Sequence, residues 1–214
     1  EVNWKIFTNG VSDITSREYQ FVITNQQAFA AITSQKRVND KFKNSVMELL
    51  KPIVKTNDVA NYKKQRAIAK TINSTMIDSL LFQYDLDHYE FNSNWNEYKK
   101  VAAADIKKYV WNSPKEIKSI VLNVMRNSTD AASLNQSLSW IKHSNELEES
   151  YDGIVLEARV HRKLNNIPIA ITITKKAKAF STQMGWDGKE ADKLLADLLE
   201  RKKIAAKPAA KTKK

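Results

Sequence analysis

Apolar and polar residues alternate one by one near the start of the chain, a pattern typical of a half-buried strand. In VNWKIFT the apolar residues Trp4 and Ile6 face the same side, and EYQFVIT repeats the alternation. The dipeptide Asn9-Gly10 between the two segments tolerates the positive φ angles of a tight hairpin turn. The sequence therefore predicts two or three antiparallel strands within residues 1–25.

The same alternation returns over residues 154–175. One apolar face begins at Ile154, a second begins at Ile167, and an Asn-Asn pair between them is suited to a turn. Pro168 lacks an N–H donor for a central strand, so we expect it at the start or edge of its strand. The pattern predicts a β-hairpin.

Helical spacing of apolar residues dominates the middle of the chain, residues 38–148. Helix starts are expected near Asp58 and near Asp130, and at Ser113, where an N-cap serine is followed by a proline at the first helical position. The helix from Asp58 is predicted to continue to Leu80. A last helix is expected over residues 188–204.

Strands at both ends and helices between them predict an α+β fold. Its antiparallel sheet would join the N- and C-terminal strands, beside a central block of about four helices and one C-terminal helix. We expect a single domain over residues 1–200, with two small subdomains as the alternative, and a disordered basic tail over 205–214.

Composition excludes several classes of protein. The 214 residues include no cysteine, so disulfide frameworks and thiolate metal sites are excluded. No apolar run reaches the roughly 18 residues of a membrane span, so we expect no membrane contact. Residues 1–30 lack a basic start followed by an apolar run, which argues against a signal peptide. These features, and a composition rich in Asn and Lys, suit a cytoplasmic viral or bacterial protein, or a virion component if viral.

Positive charge is concentrated at the C-terminus. The net charge is +11, and removing the seven cations of the last 14 residues leaves +4 on the first 200. Those cations are Arg201, Lys202, Lys203, Lys207, Lys211, Lys213 and Lys214. A mobile polycation neutralises phosphates without reading sequence, so this segment is a candidate nucleic-acid contact. A solubilising tail is the first alternative, and binding to an acidic protein or membrane surface is the second.

The predicted hairpin carries a second set of candidate nucleic-acid contacts, because a basic β-ribbon can lie in a groove of DNA. They are Arg159, Arg162, Lys163, Lys175, Lys176 and Lys178. The alternative is a solvated sheet face whose lysines protect an edge strand. A further basic set, Lys63, Arg66 and Lys70, is interpreted as the solvated face of a helix.

Catalytic patterns are weak in this sequence. There is no phosphate-binding glycine loop, and the three histidines have no metal-ligand spacing, so we expect no catalytic residue, metal or cofactor. A metal-dependent nuclease using Asp152 and Glu157 on a strand is a remaining alternative. The acidic residues Asp85, Asp87 and Glu90 are attributed to a loop that follows a helix.

The sequence thus favours a non-enzymatic protein that binds the phosphate backbone of DNA or RNA without specific readout and in a salt-sensitive way. A structural or protein-interaction module is the first alternative. Such a module would be a virion component or an inhibitor of a host factor, with a protein partner or self-association. The nuclease is the second alternative.

Overall fold

The computed structural model describes residues 2–205, and every regular element in that range is a helix. In chain order the helices are α1 Val2–Gly10, α2 Arg17–Thr24, α3 Gln26–Ile32, α4 Gln35–Leu50, α5 Val59–Lys70, α6 Thr75–Phe91, α7 Trp95–Tyr109, α8 Pro114–Asn127, α9 Ala131–Leu147, α10 Tyr151–Lys163, α11 Ile167–Met184 and α12 Lys189–Ala205. No strand occurs within residues 2–205, so the predicted α+β fold with an antiparallel sheet is wrong.

The predicted N-terminal strands are helices α1 and α2. Buried Trp4 and Phe7 are three residues apart, as are Tyr19 and Val22, and this spacing places each pair on one face of a helix. Phe21, which alternation would place beside Tyr19, is instead 61% exposed. Runs this short fit the strand period and the helix period alike, so packing against later helices decides between them.

The predicted hairpin over residues 154–175 is the helix pair α10 and α11. Ile154 and Val155, which a strand would place on opposite faces, are both buried, because α10 packs against several neighbouring helices. β-Branched residues lower helix propensity only slightly, so burial on this scale overrides it. Pro168 lies in the first turn of α11, where its missing N–H leaves no helical hydrogen bond unmade.

The predicted helix starts in the middle of the chain are confirmed. Asp58 and Asp130 cap α5 and α9 by accepting backbone N–H bonds, and Ser113 precedes the proline that begins α8. The helix predicted to run from Asp58 to Leu80 is two helices, because α5 ends at Lys70 and α6 begins at Thr75. The last predicted helix corresponds to α12 within one residue at each end.

Contacts divide the chain into two compact units, residues 1–101 and 102–214, with the boundary inside α7. The core of the first unit is rich in aromatic side chains. The rings of Phe7 and Tyr19 meet edge to face with centroids 5.0 Å apart, and Tyr19 lies 5.9 Å from Phe42. These contacts attach α1 and α2 to α4, whose inner face is fully buried.

A buried carboxylate organises the second half of the first unit. Asp85 is 3% exposed within α6, so its predicted place in a loop is wrong. The Tyr62 phenol donates to it at 2.8 Å, and the Arg66 guanidinium donates to both of its oxygens, from Nε at 2.7 Å and Nη2 at 2.7 Å. Burial, reinforced by the Asp85 charge, raises the pKa of Tyr62. The Arg66–Asp85 ion pair therefore joins α5 to α6. The interpretation of Arg66 as part of a solvated helix face is wrong.

From α8 to α12, successive helices of the second unit pack against each other and are joined by connections of three or four residues, which makes them antiparallel. Since α8 and α10 are both antiparallel neighbours of α9, they run parallel to each other. Tyr151 fixes the start of α12 against α10, because its hydroxyl accepts a bond of 3.0 Å from the backbone N–H of Ala191. The two helices also share an apolar core that includes Ile154, Ala158, Leu194 and Leu198.

A buried histidine is expected to make the second unit sensitive to acid. His161 on α10 is 3% exposed, and among the described residues its Nε2 has no hydrogen-bond partner. Burial lowers the pKa of His161 from 6.5; Lys142 adds to the lowering and Glu157 opposes it. The unfolded chain therefore binds a proton more readily than the folded chain, and stability is lost as the pH falls below 6.5.

We expect the melting temperature to fall between about pH 7.5 and about pH 5.5, and His161→Gln to reduce that fall. Thermal unfolding, followed by circular dichroism at both pH values, measures this fall in melting temperature. His143→Gln is the matched control, because His143 is partly exposed and its Nε2 lies 3.0 Å from the Trp111 carbonyl oxygen. An unchanged pH dependence in the His161 variant would contradict the assignment.

Candidate anion-binding groove

An open groove in the second unit has α10 as its floor, with α8 and the first turns of α12 as its walls. Its wide part, about 730 Å³, is lined by Met125, Arg126, Arg159, Arg162, Lys163, Lys189, Glu190, Lys193 and Leu194. A narrower part, about 440 Å³, is lined by Lys115, Lys118, Ser119, Leu122, Arg126, Asp152, Val155, Leu156, Arg159 and Glu190. Three residues line both parts, so they form one feature, which we call the α10 groove.

The α8 wall is a regular helical face. Lys115, Lys118, Leu122 and Arg126 follow one another at spacings of three and four residues, which align them along the helix axis. From the first to the last of them α8 rises about 16 Å. The opposite face of α8, with Ile117, Ile120, Val121 and Val124, is buried. Because the apolar face of α8 is buried, the cations on its opposite face are the ones that reach the groove.

Charge in the second unit is strongly segregated. Residues 102–200 contain 14 basic and 13 acidic residues, so their net charge is close to zero. Eight of those basic residues but only two of the acidic ones line the α10 groove. The rest of this stretch is correspondingly acidic. The positive potential of the groove therefore comes from arrangement in space and not from composition.

Several groove cations have partners within the protein. Arg159 pairs with Glu190, and Arg162 pairs with Asp197 at 3.0 Å, so α12 is attached to α10 through two ion pairs. Lys163 donates to carbonyl oxygens at the C-terminal end of α8, including that of Ser128 at 3.0 Å. Its ammonium is therefore a helix cap.

Other groove cations have no ion pair. Lys115, Arg126 and Lys193 are exposed, and none of them pairs with an acidic side chain of residues 2–205. Lys118 donates to the Ser150 hydroxyl at 3.0 Å, a neutral partner that leaves its charge uncompensated. An anion long enough to extend along the groove can therefore contact several cations without breaking an existing ion pair.

The structure brings together one half of the cations predicted on the hairpin. Arg159, Arg162 and Lys163 line the groove, although on a helix and not on a strand. The other half lies on α11, outside the groove lining. Lys176 pairs with Glu149, Lys178 pairs with Asp192 at 2.7 Å, and Lys175 is exposed. These three lysines and the groove cations form separate surfaces.

The predicted cations of the C-terminal segment divide between the last helix and the rest of the tail. Arg201, Lys202 and Lys203 are exposed on the last turns of α12, and Arg201 pairs with Asp197 at 3.0 Å. Lys207, Lys211, Lys213 and Lys214 lie outside the described residues.

Sequence reasoning missed five groove cations: Lys115, Lys118, Arg126, Lys189 and Lys193. They come from two helices far apart in the chain, and no local charge run reveals them. One signal was available, since the α8 cations repeat at helical spacing on the side away from its apolar stripe. That α8 and α12 face each other across α10 could be seen only in the fold.

The residues proposed for a nuclease are not arranged as that chemistry requires. Asp152 and Glu157 both lie on α10 and not on a strand. Five residues apart on a helix, their side chains point about 140° apart. Glu157 accepts a hydrogen bond of 2.9 Å from the Asn145 amide. Across residues 2–205 no group of three or more His, Asp or Glu side chains could hold a metal ion.

Comparison with known proteins adds no further constraint. No protein-family model matches the sequence, and neither curated proteins nor solved structures contain a significant match to it. Among the described helices, none is both long enough and apolar enough to cross a membrane. The groove geometry is therefore the basis for a functional proposal.

Proposed function

We propose that this chain is a non-enzymatic protein that binds the phosphate backbone of DNA or RNA without reading the bases. The observation that carries the proposal is the α10 groove, where eight cations and two acids line a channel along α8, α10 and α12. Arginine and lysine are the residues that neutralise phosphates, and their contacts position a nucleic acid without specifying its sequence.

The length of the groove suits a polymeric anion. Along about 16 Å, one strand of a duplex presents about five phosphates, at 3.4 Å per phosphate. Lys115 and Arg126, at the two ends of the α8 wall, would contact phosphates several nucleotides apart. The cationic tail beyond α12 supplements the groove with nonspecific attraction. A cytoplasmic location, or a virion in the case of a viral protein, is part of the same proposal.

Binding should be strongly dependent on salt. If phosphates compensate the four groove cations Lys115, Lys118, Arg126 and Lys193, the groove contributes about −4 to the slope of log K against log salt concentration, and the cations of the tail add to it. Fluorescence anisotropy of labelled DNA and RNA between about 50 and about 200 mM salt measures that slope. We expect similar affinities for different sequences of the same length.

Truncation after residue 205 distinguishes the contribution of the tail to binding from that of the groove. Removing Lys207, Lys211, Lys213 and Lys214 should make the slope shallower by up to about 4 and leave groove binding measurable at low salt. No binding of DNA or RNA by the full chain at about 50 mM salt would contradict the proposal. A stable oligomer or a captured protein partner would then favour the interaction module instead.

A further inference from the structure

Glu190 is an acidic side chain placed inside a cationic groove. It lines both the wide and the narrow part, and its carboxylate pairs with the Arg159 guanidinium. The residue that follows it, Ala191, is anchored by the hydrogen bond from its backbone N–H to Tyr151. The backbone next to Glu190 is therefore fixed against α10, and the Glu190 side chain reaches Arg159 from that position.

A carboxylate held in this way competes with incoming anions. Because it lies beside Arg159, it compensates part of the positive charge that an incoming anion would meet, and it repels that anion. An anion too short to span the groove, if it binds beside Arg159, must displace this carboxylate. A polymer has the alternative of contacting Lys115, Arg126 and Lys193, which have no ion pair within residues 2–205.

We propose that Glu190 determines the specificity of the α10 groove, by excluding short phosphate compounds while admitting phosphate polymers. The inference rests on the proposed function and adds a discrimination that electrostatic attraction alone does not provide. A negative element that penalises the wrong ligand more than the right one is a general route to specificity.

Asp192 provides a matched control for Glu190. Both acids lie in the first turn of α12, where an acid favours the helix dipole. Both also form an ion pair with a cation of a neighbouring helix, Glu190 with Arg159 and Asp192 with Lys178. Only Glu190 lines the groove. Glu190→Gln and Asp192→Asn therefore change the net charge and the helix start in the same way.

The test is competition between a labelled oligonucleotide and inorganic tripolyphosphate on the full chain. For Glu190→Gln we expect tripolyphosphate to compete about tenfold more strongly, because Arg159 becomes available, while oligonucleotide affinity rises about threefold or less. The ratio of the two affinities should stay at the wild-type value in Asp192→Asn. Hydrogen exchange of peptides from α12 in each variant checks that this helix remains folded.

The double variant Arg159→Gln/Glu190→Gln isolates the ion pair. If Glu190 acts through Arg159, Glu190→Gln should have no effect on tripolyphosphate competition in the Arg159→Gln background. Equal changes in the Glu190 and Asp192 variants would overturn the inference, because total charge would then explain them. If the wild-type chain binds the oligonucleotide but its selectivity is unchanged by Glu190→Gln, only this inference fails. If the wild-type chain binds no oligonucleotide, the proposed function fails as well.

Discussion

Replacing Arg126 and Lys193 together by glutamate is expected to lower the affinity for DNA by about 100-fold near physiological salt. Both side chains are exposed, line the wide part of the α10 groove and have no ion pair within the described chain. Their loss therefore removes ligand contacts without leaving an internal partner uncompensated. The salt dependence should become shallower by about 2, one unit for each lost phosphate contact.

Lys142→Glu/Lys175→Glu is the control for this experiment. Lys142 and Lys175 are also exposed, belong to the same unit and have no ion pair among residues 2–205, but neither lines the groove. The change in net charge is the same in both double variants. Anisotropy titrations against one labelled duplex compare them. Equal losses of affinity would show that the ligand responds to total charge, and the groove would lose its assigned role.

Removing the Asp85 carboxylate is expected to have the largest effect on stability. Asp85→Ala leaves the Tyr62 phenol and the Arg66 guanidinium without their acceptor, and breaking a buried ion pair costs about 3–5 kcal/mol. The Arg66 side chain is 37% exposed and can be partly hydrated, so the lower end, about 3 kcal/mol, is expected. That is a large part of the 5–15 kcal/mol that stabilises a typical domain.

Asp78→Ala is the matched control on the same helix. Asp78 pairs with Lys70 of α5, as Asp85 pairs with Arg66 of α5, but the Lys70 side chain is about half exposed. Its loss should therefore cost about 1 kcal/mol or less. Urea unfolding gives the overall loss of stability, and hydrogen exchange of peptides from α5 and α6 locates it. A loss in Asp85→Ala no greater than in Asp78→Ala would contradict the structural role of the buried carboxylate.

The sequence by itself determined the local features that depend on neighbouring residues. Helix starts at Asp58, Ser113 and Asp130 were predicted correctly, because the signals for them are local. Asp58 and Asp130 accept hydrogen bonds from backbone N–H groups three residues away, and Ser113 is followed by a proline in the first turn. The amphipathic face of α8 was equally local. Part of the groove was therefore accessible in principle, since cations opposite an apolar stripe must face away from the core.

Only the tertiary structure decided between strand and helix at the two ends of the chain. The branched apolar residues within 154–163 have a propensity for strands. In the fold, however, α10 is covered by α8, α9, α11 and α12. A helix buries these residues on several sides at once. The same packing places Arg126, Arg159 and Lys193 around one groove although they are separated by more than 30 residues of chain. Composition determines how many charges a chain carries, whereas their concentration at one surface requires helices that are distant in sequence to pack together.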